Sequence, residues 1–216
     1  MKKQTHRLPQ GGRIDRARAL RFRFDGRAYD GYAGDTLASA LLANGVTLVG
    51  RSFKYHRRRG IMTAGTEEPN AIVQLGAGPR TEPNLRATQV ELFNGIEAAS
   101  VNRWPSLKID FGAANGLLSR FLPAGFYNKT FMWPPRLWMT YEAVIRRMAG
   151  LGTAPADADP DRYDKTHAHC DVLVVGGGPA GLAAGLAAGL AGARVVLADE
   201  QAEFGGALLG RREAID

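Results

Sequence analysis

The stretch that decides the fold is residues 171–181, DVLVVGGGPAG. Its apolar beginning is typical of a strand buried in a parallel sheet. Gly176, Gly178 and Gly181 then occupy the three glycine positions of the G-x-G-x-x-G motif. In that motif the first glycine permits a tight turn, the second lets a pyrophosphate approach the backbone, and the third lets a helix pack close to the sheet. The sequence therefore predicts a β-α-β unit built to hold the pyrophosphate of FAD or NAD.

The residues after the motif fit the same prediction. Pro179 and Ala180 begin a predicted helix, whose free backbone N–H groups and partial positive charge would face the phosphates. Arg194–Ala198 is predicted as the second strand, and Asp199 and Glu200 lie at its end. An acid about 20 residues after the glycines is placed to bind the adenosine ribose hydroxyls. Because an acid at that position disfavours a 2′-phosphate, FAD or NAD is predicted rather than NADP.

The composition of the same region is similar to that of a membrane-spanning helix. No charged residue occurs from Val172 to Ala193, and such a run is long enough to cross a bilayer. Three consecutive glycines followed by a proline instead predict a strand, a turn and a helix. The basic N-terminus is not followed by an apolar signal-peptide stretch, and the single cysteine, Cys170, suits a reducing compartment. A cytoplasmic protein with no membrane contact is therefore predicted.

The first half of the chain shows strand and turn patterns. The predicted elements are a hairpin of Leu20–Phe24 and Arg27–Tyr32 around Asp25-Gly26, a helix at Thr36–Ala43, and strands at Ala71–Leu75 and Thr88–Phe93. A hairpin, a helix and further strands fit a small α+β domain of the β-grasp type. An amphipathic helix is predicted later in the chain, at Trp138–Met148.

Charge and composition predict four segments. Residues 1–27 carry nine Lys/Arg against two Asp, 9 − 2 = +7, which equals the net charge of the whole chain. The predicted segments are a basic arm at 1–19, the β-grasp domain at 20–95, an aromatic and proline-rich connector at 96–165, and a dinucleotide-binding domain at 166–216. The last segment is too short to supply the flanking strands of a complete α/β domain of the Rossmann type, so a truncated domain is predicted.

A basic loop interrupts the β-grasp segment. Arg51–Arg59 contains five Lys/Arg residues and His56, interleaved with Phe53 and Tyr55. Basic and aromatic residues together can contact nucleic acid, but no RNA- or DNA-binding signature accompanies them here. We therefore expect no nucleic-acid partner and predict that this loop docks onto another subunit or a second domain.

Six separate motifs, in order along the chain, resemble a known family. They are Arg59–Gly65 (RGIMTAG), Glu67–Ala71 (EEPNA), Asn102–Leu107 (NRWPSL), Pro123–Tyr127 (PAGFY), Lys129–Pro134 (KTFMWP) and His167–Asp171 (HAHCD). An ordered set of motifs is far more specific than a glycine motif alone. With them the chain resembles the N-terminal part of the alpha subunit family of heterotetrameric sarcosine oxidase, over essentially all 216 residues.

The β-grasp domain of that family is similar to a [2Fe–2S] ferredoxin. In cluster-bearing relatives, such as the small subunits of hydrogen cyanide synthase and opine oxidase, this loop carries the cysteine ligands. Laid against that pattern, the cysteine positions fall on Thr63, Glu68 and Ala71, with the fourth near Thr88. None of these side chains is a thiolate, so the resemblance implies a ferredoxin-like fold with no iron–sulfur cluster. No metal site is predicted.

The resemblance also implies the cofactors and partners of a complete subunit. NAD is implied at the glycine motif, with FAD as the alternative, and FMN and FAD are implied elsewhere in the complex. The implied partners are β, γ and δ subunits and a small-molecule amine substrate. The implied reaction is the oxidative demethylation of sarcosine to glycine with formation of hydrogen peroxide, an oxidation of a CH–NH donor. No catalytic residue is identified, and the chain alone is expected to be inactive.

Two alternatives remain open from the sequence. One is a subunit of a related FAD-dependent amine, opine or hydroxyproline dehydrogenase. The other is a truncated, non-catalytic docking module in which the β-grasp domain and the basic arm contact a partner. A docking module would retain no nucleotide. A sarcosine oxidase and a related dehydrogenase would differ in the substrate that the full complex oxidises.

Overall fold

The structure of the protein is a computed structural model that describes residues 4–150, 152 and 154–210. The chain divides into two compact units, Met1–Asp159 and Pro160–Asp216. The first contains a mixed sheet and helices, and the second contains a strand, a helix and a parallel strand.

Five strands form the sheet of the first unit. They are β1 (Asp15–Phe24), β2 (Arg27–Ala33), β5 (Ile72–Leu75), β6 (Glu82–Arg86) and β7 (Glu97–Ser100), whereas β3 (Gly50–Arg51) and β4 (Arg58–Arg59) pair separately. The strand order is β2-β1-β7-β5-β6. The β1–β7 pair is parallel and the other pairs in this sheet are antiparallel. With the helices α1 (Leu37–Ala43) and α2 (Trp138–Ala149), this is the α+β fold that the sequence predicts.

The hairpin of β1 and β2 follows directly from its sequence. Phe22 and Phe24 are 1% and 3% exposed, because alternate side chains of β1 face the core. Asp25 and Gly26 have φ angles of 48° and 76°, the positive values that a two-residue hairpin turn needs. The predicted hairpin is confirmed.

The helix α1 begins at a capping box. The Thr36 hydroxyl accepts a hydrogen bond from the Ser39 N–H (3.1 Å), and the Ser39 hydroxyl accepts one from the Thr36 N–H (3.0 Å). Each bond satisfies a backbone donor that the helix start would otherwise leave unpaired. Leu37 and Leu41 are fully buried against the sheet core, so this predicted helix is also confirmed.

The first strand begins earlier than the sequence predicts. The sequence predicts residues 15–19 as part of the basic arm, but they belong to β1. Asp15 pairs with Ala33, and a β-bulge separates this pair from the pair Ala19–Tyr32. All five side chains are exposed, so no apolar alternation marks the strand in the sequence. Before it, Arg7 donates to both carboxylate oxygens of buried Asp35 (3.1 and 2.6 Å). Residues 1–3 of the predicted arm lie outside the described part of the chain.

The strand predicted at Thr88–Phe93 is wrong. Val90 and Leu92 are buried, which explains the alternating pattern. Their backbone groups, however, form hydrogen bonds with the start of α1 rather than with a neighbouring strand. The Leu37 N–H donates to the Val90 carbonyl (2.8 Å), and the Leu92 N–H donates to the Asp35 carbonyl (2.8 Å). The edges of the sheet are formed by β2 and β6.

The sheet extends past residue 95, where the sequence predicts the end of the β-grasp segment. β7 lies at its centre, and Ala98 and Ser100 are buried there. The Ser100 backbone N–H and hydroxyl donate to the Asp25 carboxylate (2.9 and 2.7 Å), which ties β7 to the hairpin turn. The short, small-residue sequence of β7 carries no strand pattern, so its place in the sheet could not be predicted.

The connector consists of 3-10 turns and the helix α2, which confirms the helix predicted at Trp138–Met148. Phe126 is buried at its centre, and its ring lies 5.5–6.4 Å from the rings of Phe53, Tyr127 and Phe131. Other large apolar side chains of the connector are exposed: Trp104, Phe111, Leu117, Leu118, Phe121 and Trp133. The aromatic residues therefore divide between a small core and an apolar surface.

The second unit contains β8 (Val172–Val175), α3 (Pro179–Leu190) and β9 (Val195–Ala198). β8 and β9 pair in parallel, with Val172 opposite Val195 and Val175 opposite Ala198. The uncharged run from residue 172 to 193 is thus a strand, a turn and a helix, as its glycines predict. Across the described residues, every helix is too short or too polar to traverse a bilayer. Residues 211–216 of the predicted dinucleotide domain lie outside the described residues.

Candidate functional site

The loop between β8 and α3 is a tight turn that needs glycine at two positions. Gly176 has a φ of 103°, which side chains rarely adopt, and its N–H donates to the Ala198 carbonyl (2.7 Å). Gly181 packs so closely that a Cβ there would overlap the carbonyl oxygen of Gly176. These two glycines set the turn and the helix-to-strand distance. Farther along α3, Gly185 lies near Val195, with an added Cβ 3.9 Å from its side chain.

The space beside Gly178 is open. The backbone there is ordinary (φ −72°, ψ −175°), and a Cβ would meet no atom within 4 Å. Gly178 is the N-cap of α3, and no side chain of the described residues caps this helix start. The backbone N–H groups of Ala180 and Gly181 have no acceptor inside the helix. This arrangement offers donors and free volume to an anionic ligand.

Asp199 faces the same loop from the end of β9. Its carboxylate accepts hydrogen bonds from the backbone N–H groups of Gln201 (2.8 Å) and Gly177. These bonds hold the pKa of the Asp199 carboxyl below its ordinary value. The group is therefore charged at neutral pH, and its two oxygens lie against the backbone of Gln201 and of Gly177, the residue before Gly178.

The other predicted site residues lie at the surface of this unit. Pro179 and Ala180 are exposed in the first turn of α3. Glu200, next to Asp199, is exposed as well. The structure thus brings Asp199 onto the glycine loop and leaves Glu200 on the surface.

A second glycine turn, which the motif alone does not indicate, supports the loop. The Gly205 N–H donates to the Gly177 carbonyl (2.7 Å), and a Cβ on Gly177 would overlap the ring of Phe204. Gly206 has a φ of 51° and lies against Gly178, where an added Cβ would be 3.1 Å from the Gly178 Cα. The glycine pair Gly205-Gly206 marks this turn in the sequence, but no sequence pattern indicates the contact of Phe204.

The basic loop Arg51–Arg59 packs onto the connector of its own unit. The Tyr55 hydroxyl donates to the Leu122 carbonyl (2.8 Å), and the Lys54 ammonium donates to the Pro123 carbonyl (2.9 Å). These contacts lie within one unit, so docking of the loop onto another subunit or a second domain stays a prediction.

A buried carboxylate fixes the base of this loop. Asp110 Oδ2 lies 2.7 Å from His56 Nδ1 and 3.7 Å from Arg51 Nε. Asp110 Oδ1 accepts hydrogen bonds from the backbone N–H groups of Trp104 (3.0 Å) and Gly112 (3.1 Å). At most 7% of the Arg51, His56 and Asp110 side chains is exposed, so the cluster joins loop and connector in the interior.

A cavity of about 540 Å³ opens beside this cluster. Its lining residues are Arg51, Tyr55, His56, Arg57, Arg58, Ala113, Gly116 and Ser119. Three guanidinium groups make this lining basic. In the part of the chain that the structure describes, no group of three or more His, Cys, Asp or Glu side chains could hold a metal ion.

Two family models match the chain. A 2Fe-2S iron-sulfur cluster binding domain matches residues 17–103, and an FAD binding domain matches residues 171–209. The first match covers most of the five-stranded sheet, and the second covers the glycine loop and Asp199. The chain therefore contains a ferredoxin-like domain of the 2Fe-2S type and part of an FAD-binding region.

The two matched regions differ in how well they fit their cofactors. The one cysteine of the chain, Cys170, lies outside residues 17–103, so the first region has no thiolate to ligate an iron–sulfur cluster. The second region has open space beside Gly178, which a dinucleotide could fill.

The chain is similar to named proteins over nearly its whole length. It is 64% identical to sarcosine oxidase subunit alpha of Rhizobium meliloti (98% of this chain, 22% of the relative). It is 38% identical to sarcosine oxidase subunit alpha of Corynebacterium sp. strain U-96 (92% of this chain, 16% of the relative). The solved L-proline dehydrogenase of P. horikoshii matches 89% of this chain and 26% of its own, with 19% identity and a TM-score of 0.42.

The chain thus spans about a fifth of the length of its sarcosine oxidase relatives. The resemblance that its six motifs predict is confirmed by this identity. Over nearly all of its residues, the chain is homologous to part of the alpha subunit of sarcosine oxidase.

Proposed function

We propose that the glycine loop of the second unit binds the ADP half of a dinucleotide, as the first β-α-β unit of a Rossmann-type domain. The observation that carries this proposal is the open space at Gly178. It adjoins the uncapped start of α3, whose N–H groups suit a pyrophosphate, and the charged Asp199 carboxylate, whose oxygens suit ribose hydroxyls.

The identity of the dinucleotide rests on two different arguments. The match to an FAD binding domain favours FAD, whereas the family resemblance implies NAD. Both contain an ADP group with a free 2′-hydroxyl, so the same loop and Asp199 would serve either. The bound cofactor would supply two-electron redox chemistry, and the residues of this chain would hold its phosphates and ribose.

We further propose that the chain acts within a sarcosine oxidase-like complex in the cytoplasm, together with β, γ and δ subunits that carry FMN and FAD. The names of the homologous proteins support this reaction and a multi-subunit assembly. The overall reaction would be sarcosine + O₂ + H₂O → glycine + formaldehyde + H₂O₂, in which a C–N bond is oxidised and oxygen is reduced. Peroxide formation by the purified complex from sarcosine, compared with opines and hydroxyproline, tests the substrate.

Replacing Asp199 by alanine tests the dinucleotide site. We expect the affinity for ADP-ribose to fall about 10- to 100-fold in the native gene product, because the ribose loses a charged acceptor worth about 1.5–3 kcal/mol. Discrimination against 2′-phospho-ADP-ribose should shrink at the same time, since the carboxylate that repels the extra phosphate is gone. Equilibrium titration with both ligands measures the two effects.

Asp164→Ala is the matched control, because Asp164 is an exposed acid of the same unit. It should leave both affinities unchanged. Equal affinities of the Asp199→Ala protein and the wild type for ADP-ribose would contradict the proposed role of this carboxylate.

A further inference from the structure

Glu68 is a buried carboxylate in the loop between β4 and β5. Only 1% of its surface is exposed, whereas the neighbouring Glu67 is exposed. Removing a carboxylate from water is costly unless hydrogen-bond donors replace the lost water. The loop around Glu68 must therefore supply such donors.

Five hydrogen bonds converge on this carboxylate. Oε2 accepts from the Met62 N–H (2.8 Å), the Thr63 N–H (2.7 Å) and the Thr63 hydroxyl (3.1 Å). Oε1 accepts from the N–H groups of Asn70 (2.8 Å) and Ala71 (3.1 Å). One carboxylate thus joins the two ends of the loop, each end through its backbone, immediately before β5.

The charge on Glu68 is stabilised by these contacts. Burial alone would raise the pKa of its carboxyl, but the hydrogen bonds from the backbone N–H groups of Thr63, Asn70, Met62 and Ala71 outweigh it and lower the pKa. Successive backbone N–H groups that point inward form an anion-binding nest. Here the anion is a side chain of the same loop.

The nest coincides with the positions that the family resemblance implies for the cluster-ligating cysteines. Three of the four positions, Thr63, Glu68 and Ala71, meet at the carboxylate. The fourth, Thr88, reaches the same loop, because its hydroxyl donates to the Gly65 carbonyl (2.7 Å). The matched cluster-binding family covers residues 17–103, a range that includes this loop, and in this chain the buried Glu68 carboxylate occupies the centre of the loop.

We propose that the Glu68 carboxylate takes the structural place of the iron–sulfur cluster, as the internal anion that gathers the backbone donors of the loop. The domain then keeps the ferredoxin-like fold without its redox group. It is a scaffold whose loop is closed by a hydrogen-bonded carboxylate.

Chemical rescue of Glu68→Ala tests this role. The substitution removes a CH₂–COO⁻ group, for which acetate is the matching free ion. In the native gene product we expect hydrogen exchange of the segment 60–72 to accelerate about tenfold or more, because four backbone donors lose their acceptor. Acetate, but not chloride at equal ionic strength, should restore at least about a third of the lost protection.

Glu67→Ala is the control, and its exchange should match the wild type with or without acetate. Glu68→Gln provides the second variant if the alanine protein does not fold. Its amide keeps the volume but turns an NH₂ group toward backbone donors, so exchange should accelerate and acetate should have no effect. Equal exchange in the Glu67 and Glu68 variants, or acceleration in Glu68→Ala without acetate rescue, would overturn the proposal. None of these measurements depends on nucleotide binding.

Discussion

Replacing Gly181 by alanine is expected to disrupt the glycine loop and abolish dinucleotide binding. The new Cβ would overlap the carbonyl oxygen of Gly176, which is backbone and cannot rotate away. Either α3 moves off β8 or the loop changes its conformation. We expect a cost of about 3 kcal/mol or more in local stability, at the upper end of overpacking effects. The affinity for ADP-ribose should fall more than about 100-fold.

The matched control lies on the same helix. A Cβ at Gly189 would meet no atom within 4 Å, so Gly189→Ala should stabilise α3 by up to about 1 kcal/mol and leave affinity unchanged. Hydrogen exchange of α3 measures local stability and titration with ADP-ribose measures affinity. Equal stability of α3 and equal affinity for ADP-ribose in the two variants would show that the loop does not need the close contact at Gly181.

Replacing Asp110 by alanine should strongly destabilise the first unit. Arg51 would remain buried without its carboxylate, and His56 and two backbone N–H groups would lose an acceptor. Breaking a buried pair by removing one partner typically costs about 3–5 kcal/mol. We expect a fall in the midpoint of thermal unfolding of about 10 °C or more, together with release of the basic loop from the connector.

An exposed ion pair supplies the comparison for this experiment. Glu142 accepts from Arg146 one turn later on α2 (2.8 Å from Nε to Oε1), and both side chains are accessible to water. Glu142→Ala should cost less than about 0.5 kcal/mol. Differential scanning calorimetry and limited proteolysis of the loop measure both variants. If the midpoints of thermal unfolding of the two variants differ by less than about 2 °C, the buried cluster adds no stability.

The features predicted best from the sequence are those encoded by neighbouring residues. The spacing of Gly176, Gly178 and Gly181 fixes a turn and a helix start, and the structure contains both. The capping residue Thr36 likewise marks the start of α1. The position of Asp199 follows from the length of a β-α-β unit, which determines where the second strand ends, and its role toward a ribose stays a prediction.

The features that were missed depend on contacts between distant parts of the chain. β6 was not predicted because it contains Pro83 and also Asn84, whose φ is 61°, and neither residue is typical of a strand interior. Val90 and Leu92 alternate with exposed residues but bond to a helix start. The burial of Glu68 could not be predicted, because a carboxylate in a polar sequence is ordinarily exposed.

The nucleotide content of the purified native gene product tests the central claim most directly. Gly178→Val fills the open space that we assign to the ligand without meeting any protein atom within 4 Å at its Cβ, and Gly189→Val is the matched control on α3. FAD, FMN and NAD are released by denaturation and quantified per chain by mass spectrometry. We predict that one dinucleotide is lost from the Gly178→Val protein, while the remaining nucleotides and the control are unchanged. Full retention of every nucleotide by a folded Gly178→Val protein would contradict dinucleotide binding at this loop.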